Sequence, residues 1–307
     1  MKKILCAALA SAVFAAAICG CSGQKSPSSG SSSDQPSGKT ATYDEAPTEN
    51  SVSTTGNKVH IKDSTLGDIW ITELEGVAKN TLKAENFTSD ATFTYYSEDG
   101  KAASEEGIDI SSYTGEIDWK KVKAAGVDFA MVRLGGRGYG EDGSLYSDDK
   151  ALEYIKGAQA ENIKVGGYFF SQATTSDEAA EEAEYVKDLL DGTKLEYPIA
   201  FDWEIIKDEN ARTDSVSSTQ ATECAKVFCE SIKNYGYKPM IYSPARELYF
   251  KYDLTQLKDF DIWFVDYTNV PEFYYQFTMW QYSETGSVDG IEGTVDLNIC
   301  FTNIANY

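Results

Sequence analysis

The stretch Tyr197-Pro198-Ile199-Ala200-Phe201-Asp202-Trp203-Glu204 decides the fold of this chain. It is apolar until its end, where two carboxylates stand two residues apart. A run of this kind reads as a short buried strand. Side chains alternate faces along a strand, so Asp202 and Glu204 project to one side with Cα atoms ~6.6 Å apart, and Trp203 projects to the other. Two acids on one face at the C-terminal end of a strand is where an α/β barrel keeps its chemistry. A bare D-x-E pair is more often two solvated acids. The apolar run before this pair, and two further strands that end in acids, set it apart.

Outward from that strand the pattern alternates. Residues 107–110 and 127–134 read as strands around a helix near 118–125, and a helix over about 148–161 leads to a strand at 164–170. Thr175 and Glu178 predict a capping box for the next helix, closed by Gly192. Ser217 and Gln220 cap another, ended by Gly236, before a strand at 238–242. Strands at 261–267, 277–282 and 295–301 follow, and their links are too short for full helices. The fold class is α/β: an irregular TIM-like β/α barrel over residues 105–307, five βα units followed by three strands with little helix.

Residues 58–104 predict a small β appendage. Asp68-Ile69-Trp70-Ile71-Thr72 and Ala91-Thr92-Phe93-Thr94-Tyr95-Tyr96 alternate like strands, and Glu98-Asp99-Gly100-Lys101 reads as a turn. So short a segment builds little core alone and is expected to pack on the barrel. Residues 22–57 are rich in Ser, Gly, Thr and Pro and read as a disordered tether. Its coil reach is about 30–35 Å. Residues 1–21 carry the pattern of a processing signal: Lys2-Lys3, then an apolar run shorter than the ~20 residues of a spanning helix. The run ends in Ile18-Cys19-Gly20-Cys21, which resembles a bacterial lipoprotein lipobox. That resemblance implies lipidation of Cys21 and a site on the outer face of the bacterial membrane, or secretion if the lipobox is not used.

Composition excludes several classes. A net charge of −22 leaves no basic stripe for nucleic acid. The only His, His60, lies far from the acids and reads as a surface strand residue. Its isolation argues against Ser-His-Asp or Cys-His catalysis and against a His-rich zinc site. Downstream of the signal the cysteines are Cys224, Cys229 and Cys300. Helical periodicity puts Cys224 on a buried face with Cys229 at its edge, so buried thiols are expected, and a bridge from Cys300 stays open.

Four acids fall near strand ends: Asp109, Asp202, Glu204 and Asp296. First and eighth strands of a barrel are neighbours, so Asp109 and Asp296 are expected on the rim that carries the D-x-E pair. Clustered carboxylates raise one another's pKa and keep one protonated as a general acid, as glycoside hydrolysis requires. Grouped carboxylates also bind Ca²⁺ or Mg²⁺, but no loop has calcium-type spacing, so neither metal nor cofactor is expected. Arg133, Tyr168, Tyr242, Trp263 and Gln281 sit toward strand ends, where each either lines the groove or serves core packing or a structural hydrogen bond, and Asp266 adds an acid near the groove.

Gly107-Ile108-Asp109-Ile110-Ser111, the D-x-E of Asp202 and Glu204, and Met279-Trp280-Gln281-Tyr282 with Val295-Asp296-Leu297-Asn298 together resemble glycoside hydrolase family 25, the lysozymes of N-acetylmuramidase type. The resemblance implies cleavage of the β-1,4 bond from N-acetylmuramic acid to N-acetylglucosamine in peptidoglycan glycan strands. It implies Glu204 as acid/base and Asp202 as its partner, acting on the substrate's acetamido group or as nucleophile. Asp109 and Asp296 complete the acidic cluster. The chain departs from the family at Trp263-Phe264-Val265-Asp266-Tyr267, where a small residue often stands at the third place, and at Tyr168-Phe169-Phe170, where a His often follows the Tyr. Both departures bear on the sugar subsites. Spacing alone leans away from direct attack by Asp202, since retaining pairs stand at ~5–5.5 Å and inverting pairs at ~6.5–9.5 Å. The family offers a substrate-assisted route with net retention. A monomer is expected. Rival readings are a catalytically silent glycan-binding module and a hydrolase of a related amino-sugar polymer such as chitin.

Overall fold

The computed structural model describes residues 52–206, 208 and 210–302. These begin with a hairpin of β1 (Thr54–Asp63) and β2 (Gly67–Leu74), then a meander of β3 (Phe87–Ser89), β4 (Thr94–Glu98) and β5 (Lys101–Ala102). Strand β1 starts at Thr54, so residues 54–57, expected to end the tether, belong to the hairpin.

The remaining elements are, in chain order, β6 (Ser104–Ile110), α1 (Trp119–Ala124), β7 (Phe129–Arg137), β8 (Leu145–Ser147), α2 (Ala151–Ala160), β9 (Lys164–Ser171), α3 (Ser176–Leu190), β10 (Ile199–Trp203), α4 (Ser218–Asn234), β11 (Pro239–Pro244), α5 (Ala245–Phe250), α6 (Leu254–Leu257), β12 (Asp261–Val265), β13 (Met279–Gly286) and β14 (Val295–Phe301). Pairing runs β6, β7, β9, β10, β11, β12, β13, β14 and back to β6, which closes the ring; β8 folds antiparallel onto β7 outside it. The last strand is irregular in direction as well as in its helices: β14 runs antiparallel to both β13 and β6.

The helix caps follow the sequence with one shift. Ser217 and Gln220 exchange both bonds of a capping box. The Thr175 hydroxyl accepts from Glu178 N–H, but the Glu178 carboxylate turns to Thr174 N–H, at 2.8 Å, instead of Thr175. It is drawn there because it also accepts from the Arg212 guanidinium and the Thr174 hydroxyl.

Two short helices, α5 and α6, are all that joins β11 to β12, and no helix lies between β12 and β14 among the described residues. The appendage covers this bare wall. Phe87 and Tyr96 meet the outward rings of Trp280 and Phe301 edge-on, with centroids 5.5–5.9 Å apart. Such pairs add about 0.5–1.5 kcal/mol each beyond the area they bury. The hairpin and its exit are sewn to the β12–β13 link by Leu74 N–H donating to the Tyr275 hydroxyl and Gln276 N–H donating to Ala78 C=O, both at 2.9 Å.

The barrel interior is packed. Phe129, Met131, Tyr197, Ala200, Met240, Trp263, Met279 and Cys300 fill it. Phe129 stacks on Tyr197 with centroids 4.5 Å apart and occupies the space a Cβ on Gly107 would need, 2.3 Å from the ring. Only glycine leaves room there. Cys224, Cys229 and Cys300 are buried thiols in no disulfide, which closes the question of a Cys300 bridge. A solid interior leaves the open ends of the strands for chemistry.

Candidate active site

Strand β10 delivers the pair as its alternation requires. Asp202 occupies the last rung shared with both neighbours, opposite Phe170 and Tyr242. Trp203 turns outward, and its indole N–H donates to Ala173 C=O at 3.0 Å. Glu204 follows just past the strand end, and its carboxyl lies close enough to that of Asp202 for the two to shift each other's titration. Asp202 is buried, and its Oδ1 receives no hydrogen bond from the protein.

Across the mouth, Asp296 stands directly opposite Asp109 in the β14–β6 register. The antiparallel direction of β14 explains how both reach one rim: Asp296 is at the beginning of its strand and Asp109 near the end of its own. Asp109 Oδ2 accepts from Gln281 Nε2 at 2.7 Å and from Asn298 Nδ2 at 2.8 Å. The Gln281 amide is oriented from behind, since its Oε1 accepts from the Tyr242 and Tyr267 hydroxyls at 3.0 and 3.2 Å. Asn298 is oriented likewise by Trp263 Nε1, 2.8 Å from its Oδ1.

Burial is the first cause of every carboxyl shift here. It raises Asp296 to about 8, with the charge of Asp109 adding to it. It raises Asp109 too, against the donors from Asn298 and Gln281, which favour the charged form. Asp202 and Glu204 are both raised and titrate as a pair. After burial, the charges of Glu204 and Asp109 raise Asp202 further, with the Arg133 guanidinium opposing them. On Glu204 the Glu247 carboxylate adds to burial, and the contact with Asp202 opposes it. The raised pair holds a proton between its two carboxyls.

The expected groove residues divide. Arg133 is held at the mouth by buried Asp148, with Nε and Nη2 at 2.9 and 2.7 Å from Oδ2, and lies 4.9 Å from the Tyr113 ring centroid. Tyr168 and Tyr242 flank the indole of Trp263. Trp263 and Gln281 are themselves buried and take the structural alternative: they orient Asn298 and Asp109 by hydrogen bonds. The place expected for Asp266 is corrected. Its carboxylate accepts from the Thr268 hydroxyl and faces Asp63 and Glu272, away from the acid cluster.

Sequence reading missed Tyr113 and Tyr267, 78 % and 51 % exposed, as well as Asp148, Asn298, Glu247 and Gln172. Asn298 carried a signal, since it lies two residues after Asp296 on the same strand face. The loop and helix residues had none. Asp109, Ser111, Tyr113, Tyr168 and Asp296 line a cavity of about 300 Å³. Among the described residues no group of three or more His, Cys, Asp or Glu side chains is arranged to hold a metal ion.

A closed barrel whose mouth carries two pairs of interacting carboxyls is the framework of a barrel glycosidase. Residues 108–291 match the family model for glycosyl hydrolases family 25, more than half of the 307 residues, and the chain belongs to that family. It is similar to the autolytic lysozyme of Clostridium acetobutylicum, 27 % identical over 195 residues that cover 63 % of this chain and 55 % of the relative. It is equally similar to lysozyme M1 of Streptomyces globisporus, 27 % identical over 203 residues, covering 63 % and 66 %. The chain therefore spans between about half and two thirds of these relatives. Among solved structures, the spore cortex lytic enzyme SleM of Clostridium perfringens superposes with a TM-score of 0.58 at 24 % identity, covering 67 % of this chain and 70 % of that one. The modular autolysin LytC of Streptococcus pneumoniae, solved also with a synthetic peptidoglycan ligand, gives 0.55 at 24 %, covering 80 % and 56 %. A family 25 glycosyl hydrolase from Bacillus anthracis gives 0.54 at 22 %, covering 71 % and 95 %. These structural likenesses bear on the fold.

The signal expected at 1–21, its Cys21 and the tether expected up to residue 51 lie outside the described residues.

Proposed function

We propose that this protein is a lysozyme of the N-acetylmuramidase type, which hydrolyses the β-1,4 bond from N-acetylmuramic acid to N-acetylglucosamine in peptidoglycan with net retention. The observation that carries the reading is Asp202 Oδ1: a buried carboxyl oxygen with no donor, beside the Glu204 carboxyl, which burial raises above its ordinary range. A buried acceptor left open is suited to a donor that arrives with the substrate.

The substrate's 2-acetamido N–H donates to Asp202 Oδ1. This hydrogen bond strengthens as the acetamido oxygen attacks C1 and positive charge develops on the amide. Glu204 passes its proton to the leaving glycosidic oxygen as the C1–O bond breaks. Water then attacks C1 of the cyclic intermediate, Glu204 takes a proton from that water, and the acetamido group reopens. The anomeric configuration is retained over the two inversions. Asp109 and Asp296 keep the far side of the mouth acidic, and their cluster argues against a silent glycan-binding module, which needs no proton donor. Digestion of purified peptidoglycan, followed by identification of the new reducing sugar, separates the muramidase from a chitin-type hydrolase.

For location, the reading is a lipid anchor on Cys21 and a place on the outer face of the bacterial membrane, within tether reach of the wall. Stable anchoring takes more than one acyl chain, which a lipidated N-terminal Cys supplies. Cys21→Ser is expected to release the protein or leave the precursor uncleaved; unchanged processing and membrane retention contradicts it.

A further inference from the structure

We infer that Gln172 is a positioning residue that fixes Glu204 through its main chain, an inference that rests on Glu204 being the proton donor. The β9–β10 ladder ends at the rung of Ser171 and Trp203, and the β10–β11 ladder at Asp202 and Tyr242. Glu204 is therefore the first residue beyond both ladders, and no strand holds its peptide. Gln172 is the residue that would face it on the next rung. In place of a backbone bond, the Gln172 side chain reaches across, and its Nε2 donates to Glu204 C=O at 2.9 Å. The same nitrogen donates to Ser171 C=O at 2.9 Å, so the amide is held from its own strand as well. Its Oε1 accepts from the Thr213 hydroxyl at 3.4 Å, and both side chains are wholly buried.

The clamp has a rigid base. Ser171 Oγ donates to Glu182 Oε2 at 2.6 Å and accepts from Ala173 N–H at 3.2 Å. Glu182 Oε1 in turn accepts from Arg137 Nε at 2.7 Å. Trp203 Nε1, on Ala173 C=O, pins the neighbouring residue. Glu204 must reach a glycosidic oxygen while Asp202 addresses the acetamido group of the same sugar. A displacement of its peptide misaligns the proton donor alone, and a misplacement of ~1 Å costs on the order of 10²-fold in rate. Glutamine has both the reach and the donor that this clamp needs. Methionine matches its length without a donor, and asparagine is one methylene short.

The test uses the full chain with Gln172→Met, compared on a glycan fragment and on a dinitrophenyl glycoside of the same sugar, whose phenol departs without a proton. On the glycan, kcat is expected to fall about 10- to 100-fold with KM little changed. First-turnover release of the phenol should stay near the wild-type rate, because that step needs no acid. Equal losses on both substrates, or none on either, overturn the inference. Should Gln172→Met fail to fold, Gln172→Glu serves. Its carboxylate repels the Glu204 carbonyl, while its protonated form donates to it, so activity relative to wild type should recover as pH falls; a constant ratio overturns the inference. Glu204→Gln, assayed alongside, must show the same leaving-group split. If it does not, the assignment of Glu204 fails, whatever Gln172 does.

Discussion

Asp296 and Asp109 are direct cross-strand partners on antiparallel β14 and β6, and Gln281 Nε2 reaches both, at 3.4 and 2.7 Å. Two carboxyls at such a pairing cannot both ionise cheaply when buried. The donors from Asn298 and Gln281 serve Asp109, so the anion sits there and the proton on Asp296, raised to about 8.

This pairing makes stability depend on pH with a definite sign. The ordinary value for Asp296 is 3.8 and the folded value about 8, so between them the folded state binds the extra proton. Stability is then greatest below the ordinary value and falls as pH rises through the folded one. Wild type is expected to lose melting temperature from pH 5 to pH 9, and Asp296→Asn to lose less. Parallel melting curves for the two contradict the assignment.

The barrel interior gives a second prediction. A methyl group on Gly107 would enter the Phe129 ring, which cannot swing away because Tyr197 stacks against it. Gly107→Ala should cost about 1–3 kcal/mol, the usual range for overpacking. Denaturant unfolding measures it, and a variant as stable as wild type shows that the ring has somewhere to go.

Tyr113 and Tyr267 are exposed aromatics beside the acids, one against Arg133 and one bonded to Gln281. Rings at a groove edge bind substrate and transition state alike. Replacing either with alanine should raise KM several-fold, on the order of 1 kcal/mol of uniform binding, and leave kcat nearly unchanged. A fall in kcat with constant KM would place that ring in the chemistry instead.

The sequence displayed what strand alternation and capping control. Asp202, Glu204 and Asp109 lay where buried strands ended, and the helix starts at Thr175 and Ser217 could be read from their hydroxyls. What it hid depends on direction and depth. Nothing in Val295–Phe301 says that β14 runs against its neighbours, because a buried strand reads the same in either direction. Trp263 and Gln281 stand on the inward face, but height along that face decides whether a side chain meets sugar or supports an acid. Asp266 adjoined the strand end and turned outward to Thr268. Gln172 gave no local sign, since its partner is a backbone carbonyl 32 residues away.

The central claim is that Glu204 donates a proton to the bond between N-acetylmuramic acid and N-acetylglucosamine. The most direct test digests purified peptidoglycan with wild type and Glu204→Gln and identifies the reducing end of the fragments. Wild type should release fragments ending in N-acetylmuramic acid. Glu204→Gln, with the same shape and no proton to give, should be about 10²–10⁴-fold slower. Fragments ending in N-acetylglucosamine, or near-normal turnover by Glu204→Gln, would contradict the account.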